Sequence, residues 1–159
     1  MISGFYQMNY LLKNNRDGAA SVYRTTVEVS QDERNIYFNF VAEHSNYYCP
    51  YHNYNDIHSC GDAVEILIGI DPTRKTYYEL EVNPDNSKML AKMTVTELDG
   101  DGAAKLNIDF VDEKDCFFTS STAKTSGGYI ACIVIDKARL NMPVEQIYFN
   151  AYRLETDGG

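Results

Sequence analysis

Residues 61–84 read GDAVEILIGIDPTRKTYYELEVNP. Two alternating runs meet at a short turn. From Ala63 to Ile70, the side chains of Val64, Ile66, Ile68 and Ile70 share one face, and Ala63, Glu65, Leu67 and Gly69 share the other. From Thr76 to Val82, Tyr78, Leu80 and Val82 oppose Tyr77, Glu79 and Glu81. Successive side chains of a strand point to opposite faces, so this period of two predicts half-buried strands. Asp71-Pro72 is a turn signal, because proline cannot donate to a central ladder. The two runs therefore predict an antiparallel hairpin. One face is oily, and the other carries three glutamates and a tyrosine.

The same alternation extends outward from the hairpin. Ile36 to Glu43 puts Ile36, Phe38, Phe40 and Ala42 inward, and Tyr37, Asn39, Val41 and Glu43 outward. Met89 to Glu97 and Ala104 to Val111 flank Asp99-Gly-Asp-Gly102, a hairpin signal. Tyr129 to Asp136 reads as a core strand and Ile147 to Leu154 as the last one. Arg24 to Val29 alternates weakly, and residues 1–20 favour a strand. Cys116 to Ser121 is expected at an edge, with a loop from Thr122 to Gly128. Lys137 to Asn141 fits one helical turn. Many short strands and almost no helix predict an all-β fold, an antiparallel β-sandwich of two sheets, immunoglobulin- or jelly-roll-like. A length of 159 residues suits one domain with a real core, so residues 1–159 are expected to form a single domain.

His44 to Gly61 has no periodicity. It contains Tyr47, Tyr48, Tyr51 and Tyr54, all three histidines and two cysteines. Connections this long are commonly functional, and so many aromatics argue against disorder.

The formal net charge is −9, from 14 basic and 23 acidic residues. Binding to phosphates needs clustered Lys and Arg, and none cluster here, so no nucleic acid and no anionic membrane surface is expected as partner. No apolar run has the length of a membrane span. The first residues, MISGFYQMNYLLKNN, lack a basic start and a continuous apolar stretch, unlike a signal peptide. A cytoplasmic location is expected, or an extracellular one if a leader has been removed. Cys49, Cys60, Cys116 and Cys132 allow three disulfide pairings or none. Free thiols are the expectation, because no export signal is visible.

Three constellations carry candidate chemistry. If residues 36–43, 63–70, 76–82 and 147–154 share a sheet, one patch holds Tyr37, Asn39, Glu43, Glu65, Tyr77, Glu79, Glu81, Tyr148, Asn150 and Tyr152. Sugars ask for this mixture: aromatic rings stack on the C–H side of a pyranose, and carboxylates and amides bond its hydroxyls. A merely solvated sheet face is the alternative. Glu65 and Glu79 also form a candidate pair for glycoside hydrolysis, which needs two carboxyls about 5–10 Å apart with one pKa raised by burial. An open, polar face is expected to leave both ionised, which favours binding over catalysis. Cys49, His52, His58 and Cys60 are zinc-ligand types in the order C-x2-H-x5-H-x-C. That spacing matches no common zinc knuckle, and a Cys49–Cys60 disulfide or an ordinary loop competes with it. Asp99 and Asp101 could hold a structural calcium, although Asp-Gly pairs mostly mark turns. No phosphate loop or nucleophile elbow is present, which leaves nucleophilic catalysis little to work with, and no other cofactor is expected.

GDAVEILIGIDP followed by YYELEVNP resembles the family 9-like carbohydrate-binding modules, a branch of the DOMON-like β-sandwiches. In those modules a "gD-x-VE" strand leads into a "Y-x-E-x-x-vNP" strand. NIYFNFVAE (35–43), GYIACIVIDKARL (128–140) and YFNAYRLE (148–155) resemble further strands of the family, in the right order. The resemblance implies a sandwich that binds glycan ends or sugars without catalysis, with a polysaccharide-degrading domain in cis or trans. By position it implies Glu65 as the "VE" carboxylate, Tyr77 and Glu79 on the second strand, and Asn150 and Arg153 as "N-x-x-R". Asn150 and Arg153 are three places apart, so both reach one ligand only across a bulge. Where the family has "IP", this chain has Ile135-Asp136. The family clamps its sugar between two tryptophans, and this chain has none. Tyr51 or Tyr54 is expected to replace the first. The second would lie beyond the "N-x-x-R" strand, and six residues follow Arg153, so that wall is expected to be missing or outside this sequence. The expected function is carbohydrate binding at micromolar to millimolar strength, about −4 to −8 kcal/mol. The alternatives are an interaction sandwich that has lost its sugar site, and a glycoside hydrolase.

Overall fold

The structure is a computed structural model that describes residues 7–14, 16–44, 46–69, 72–73, 75–98, 104–140 and 147–156. Its strands are β1 (Gln7–Leu11), β2 (Thr25–Gln31), β3 (Asn35–Glu43), β4 (Ala63–Gly69), β5 (Thr76–Val82), β6 (Lys88–Leu98), β7 (Ala104–Phe110), β8 (Phe118–Thr125), β9 (Gly128–Asp136) and β10 (Tyr148–Leu154). One helical turn, α1 (Lys137–Leu140), follows β9. Two five-stranded sheets, ordered β1-β2-β3-β9-β8 and β10-β4-β5-β6-β7, are antiparallel throughout. The expected two-sheet β-sandwich is what forms.

Side-chain parity builds the interior. Val64 lies opposite Val82 and Ile66 opposite Leu80 across the β4–β5 ladder. These four pack with Phe38, Phe40, Tyr129, Ile133 and Ile135 from the other sheet in one buried cluster. Each buried aliphatic or aromatic side chain contributes about 1.5–3 kcal/mol, so this cluster is the main force holding the sheets together.

Two expectations about the strands are corrected. Ile36–Glu43 does not share a sheet with the central hairpin; β3 pairs with β2 and β9. Tyr37, Asn39 and Glu43 therefore stand on the outer side of the opposite sheet, because an all-antiparallel sandwich can hand successive strands to either layer. Thr122 to Thr125 is not loop but the end of β8, where Thr125 pairs with Gly128 around a tight turn. Ile70, Asp71 and Asp99 to Gly102 lie outside the described residues, although β6 and β7 pair across the latter as the hairpin signal requires, with a bulge between Val95 and Glu97.

Loop 46–62 is aperiodic but pinned. Asp62 Oδ2 accepts from the Tyr48 N–H at 2.8 Å. Asn55 donates to the Val111 carbonyl at 2.9 Å and accepts from the Leu90 N–H at 3.0 Å. Asn83, buried after β5, donates to the Tyr51 carbonyl at 2.8 Å and accepts the N–H groups of Asp85 and Ser87 at 3.0 and 2.9 Å. One amide thus closes the β5–β6 turn and ties the loop to it. Asn83→Ala is expected to cost about 1–3 kcal/mol, the usual cost of stranding buried polar groups, measured as a lower urea midpoint at unchanged slope.

Candidate functional site

The outer face of the β10-β4-β5-β6-β7 sheet gathers the chemistry. Ladder register gives its rows. One row runs Tyr152–Glu65–Glu81–Met89, the next Asn150–Leu67–Glu79–Ala91–Phe110, and the third Tyr148–Gly69–Tyr77–Met93–Ile108. Neighbouring strands are about 4.8 Å apart, so each row places its side chains in contact.

Glu65, Glu79 and Glu81 meet at the centre, with one carboxylate oxygen from each within 4.8 Å of the others. Glu65 and Glu79 are half-buried and Glu81 is buried at 3% exposure. Burial first, then the charges of Glu79 and Glu81, push the Glu65 carboxyl up to about 8. Burial, the charge of Glu81 and a hydrogen bond to Glu81 push Glu79 up to about 7. The expectation that an open face leaves both ionised at neutral pH is therefore corrected. The face is recessed, and burial beside like charges favours the protonated form of Glu65 and Glu79.

The surroundings are aromatic and apolar. Tyr77 lies over Met89, Ala91 and Met93, which are nearly buried although they point away from the main core. Burial and the nearby Glu79, Glu65 and Tyr152 raise the Tyr77 phenol above its ordinary value. Asn150 is exposed and donates to the Tyr152 hydroxyl at 2.6 Å. On β7 the alternation is inverted. Leu106, Ile108 and Phe110 point to this face, each exposed, and Lys105, Asn107 and Asp109 point to the other.

Loop 46–62 supports the face from one end. The His58 N–H donates to Glu81 Oε2 at 3.1 Å. Its ring Nδ1 stands 3.0 Å from the same oxygen, outside hydrogen-bond alignment. Tyr51 leans on His58, ring to ring at 5.5 Å.

Of the residues expected to hold a sugar, Glu65, Tyr77, Glu79 and Asn150 come together on this face. Tyr51 packs on the His58 ring. Tyr54 turns inward, packed against the main core with its hydroxyl beside Cys116, so it is no wall over the face. Arg153 is also corrected. Strand β10 runs without a bulge, so Arg153 points opposite to Asn150 and is buried. It donates to Thr25 Oγ1 at 3.0 Å and the Glu43 carbonyl at 2.7 Å, and lies 3.7 Å from Asp62. Cys49, His52, His58 and Cys60 are not gathered either. His58 is buried and His52 and Cys60 are exposed, because the loop is held by its Asn and Asp side chains rather than folded round an ion. Both cysteines are free thiols, as are Cys116 and Cys132. Among the described residues, the metal-ligating side chains that gather are Glu65, Glu79 and Glu81. Asp99 and Asp101 lie outside the described residues.

The fold has a solved counterpart. A putative carbohydrate-binding protein from Bacteroides uniformis ATCC 8492 superposes with a TM-score of 0.70, over 94% of this chain and 71% of that one, at 10% identity. At that identity the likeness is one of fold. No known family profile matches this chain, and no curated protein does.

Sequence reasoning named Glu81 and His58 without finding where they stand, and it passed over Phe110. Glu81 was legible as an outward carboxylate, but not its burial under loop 46–62. His58 has no local signal, since its place comes from a contact with β5. Phe110 carries a signal, the alternation of Ala104 to Val111.

Proposed function

We propose that this chain binds carbohydrate without catalysis, on the outer face of the β10-β4-β5-β6-β7 sheet. The observation that carries the reading is the direct cross-strand pairing of Glu65 with Glu81, with Glu79 beside them. Like charges directly opposite destabilise a sheet. A face that only met water would keep them apart, and a costly local arrangement of this kind commonly marks a binding site. Carboxyls that keep a proton near neutral pH can donate as well as accept, which matches sugar hydroxyls. Tyr77, Tyr148 and Phe110 offer rings for the C–H face.

The order of the motifs supports a family 9-like module that acts as one unit over residues 1–159, with an enzyme in cis or trans supplying the chemistry. Within those motifs the roles divide. Glu65, Tyr77, Glu79 and Asn150 face the ligand, whereas Asp62, Asn83 and Arg153 hold the frame. A glycan screen followed by calorimetry tests this. Glu79→Ala and Tyr77→Ala are each expected to weaken the best sugar at least tenfold, about 1.4 kcal/mol. Undiminished binding by both variants would remove this face from the site.

A second reading has one observation in its favour. A general acid must hold its proton at working pH, and Glu79 is raised to about 7. Glycoside hydrolysis on this face would show as turnover of a chromogenic glycoside that Glu79→Gln abolishes.

A further inference from the structure

We infer that β7 is the seam of a homodimer, in which two copies of this chain pair their β7 strands antiparallel and join two five-stranded sheets into one. Strand β7 ends its sheet, and every residue in it is exposed. A free strand edge is a template for another strand, and proteins usually blunt or cover it. Here the edge carries Leu106, Ile108 and Phe110, exposed at 40%, 46% and 46% on one face. The backbone is set for pairing as well. The Val111 N–H donates to the Leu90 carbonyl at 3.0 Å. Backbone groups alternate along an antiparallel strand, so those of Asn107 and Asp109 turn toward β6, and those of Leu106, Ile108 and Phe110 turn away from it.

The sequence of the strand decides the occupant. Residues 104–110 read AKLNIDF, which complements itself about Asn107. When a second copy is turned antiparallel about that residue, Leu106 lies opposite the partner's Ile108, and Lys105 lies opposite the partner's Asp109. Two-fold symmetry makes each of these pairs occur twice. Leu106 and Ile108 bring the outward backbone groups, so they form the hydrogen-bonded pairs. Lys105 and Asp109 fall at the other positions, where facing side chains come closest and opposite charges attract. Centring the pair on Leu106 or Ile108 sets Lys105 against the partner's Asn107 or the partner's Val111 instead. A lysine on an edge strand blocks pairing with most strands, but against a second β7 it meets a carboxylate. In one chain Lys105 touches Glu97, and Asp109 accepts from the Asn107 amide at 3.1 Å; pairing adds a cation to Asp109. The two-fold axis stands perpendicular to the joined sheet, so both outer faces look the same way. The seam does not depend on whether that face binds sugar.

Sedimentation equilibrium of the full chain tests the inference. The mass is expected to climb from 18.1 kDa and level off at two chains between about 0.01 and 1 mM, because a strand-edge contact is a small interface. Amide exchange at Leu106 and Ile108 is expected to slow about tenfold or more in the dimer. Ile108→Pro removes an outward donor without touching the β6 ladder. Asp109→Lys sets lysine opposite lysine. Each is expected to weaken the dimer about tenfold or more. The double variant Lys105→Asp/Asp109→Lys restores opposite charges across the seam and is expected to dimerise more strongly than Asp109→Lys. Circular dichroism checks that each variant is folded, and the charge variants decide the matter if the proline variant is not. A mass that stays at one chain up to about 1 mM, or that passes beyond two, would overturn the seam. So would a dimer undiminished in either folded single variant, or a double variant no stronger than Asp109→Lys.

Discussion

Arg153→Ala is expected to lower stability by about 3–5 kcal/mol, the range for removing one partner of a buried ion pair. The Arg153 side chain is 4% exposed, and its guanidinium lies 3.7 Å from Asp62, which is fully buried. It also caps the Glu43 carbonyl and Thr25 Oγ1, and stands over the Tyr129 ring at 5.8 Å. Without it, Asp62 keeps the Tyr48 N–H and the Thr156 hydroxyl but loses its cation. The buried charge is then uncompensated. Urea denaturation checks the size of the loss. Adding Asp62→Asn to Arg153→Ala should recover part of it, because the second change removes the stranded charge. A loss below about 1 kcal/mol would mean that Arg153 is not part of the frame.

The second large effect is on pH. The folded Glu65 carboxyl is raised to about 8 and Glu79 to about 7, against an ordinary 4.5. Between those values the folded chain holds protons that the unfolded chain has released. Stability is therefore full below about pH 4.5 as far as these groups are concerned, and falls as pH rises through 7 and 8. A carboxyl whose pKa rises by one costs about 1.4 kcal/mol more to ionise in the folded chain. Solvent reaches the half-buried Glu79 and screens much of its share. A fall of about 2–4 kcal/mol between pH 5 and pH 8.5 is expected. Asp32 and Asp56, lowered by hydrogen bonds, act with the opposite sign and only as pH falls through the ordinary 3.8. Denaturant midpoints across this range check the slope. Glu65→Gln should flatten it and raise stability at pH 8. A flat wild-type profile would contradict the burial of the trio.

The fold was legible because parity is local. Val64, Ile66 and Ile68 on β4, and Leu80 and Val82 on β5, declare the buried side without reference to any other strand. Strand order is not local. Ile36 to Glu43 alternates as cleanly as Ala63 to Gly69, and nothing in either run says that they belong to opposite sheets. The candidate site divides in the same way. Glu65 and Glu79 are visible from the β4–β5 hairpin alone. Whether they are wet or recessed depends on loop 46–62 and on Met89 and Met93, which are distant in sequence. The inward turn of Tyr54 had no local mark, since Tyr suits both a binding wall and a core edge. Arg153 was readable in principle, because three residues from Asn150 on an unbulged strand means the other face.

The central claim is that the Glu65/Glu79/Glu81 face, and not the opposite sheet, meets the ligand. Backbone amide shifts recorded while titrating the best sugar from a glycan screen test it most directly. The largest shifts are expected on Leu67, Tyr77, Glu79, Ala91 and Asn150, with little change at Tyr37, Asn39 and Cys132. Shifts concentrated on Tyr37, Asn39 and Cys132 instead would contradict it.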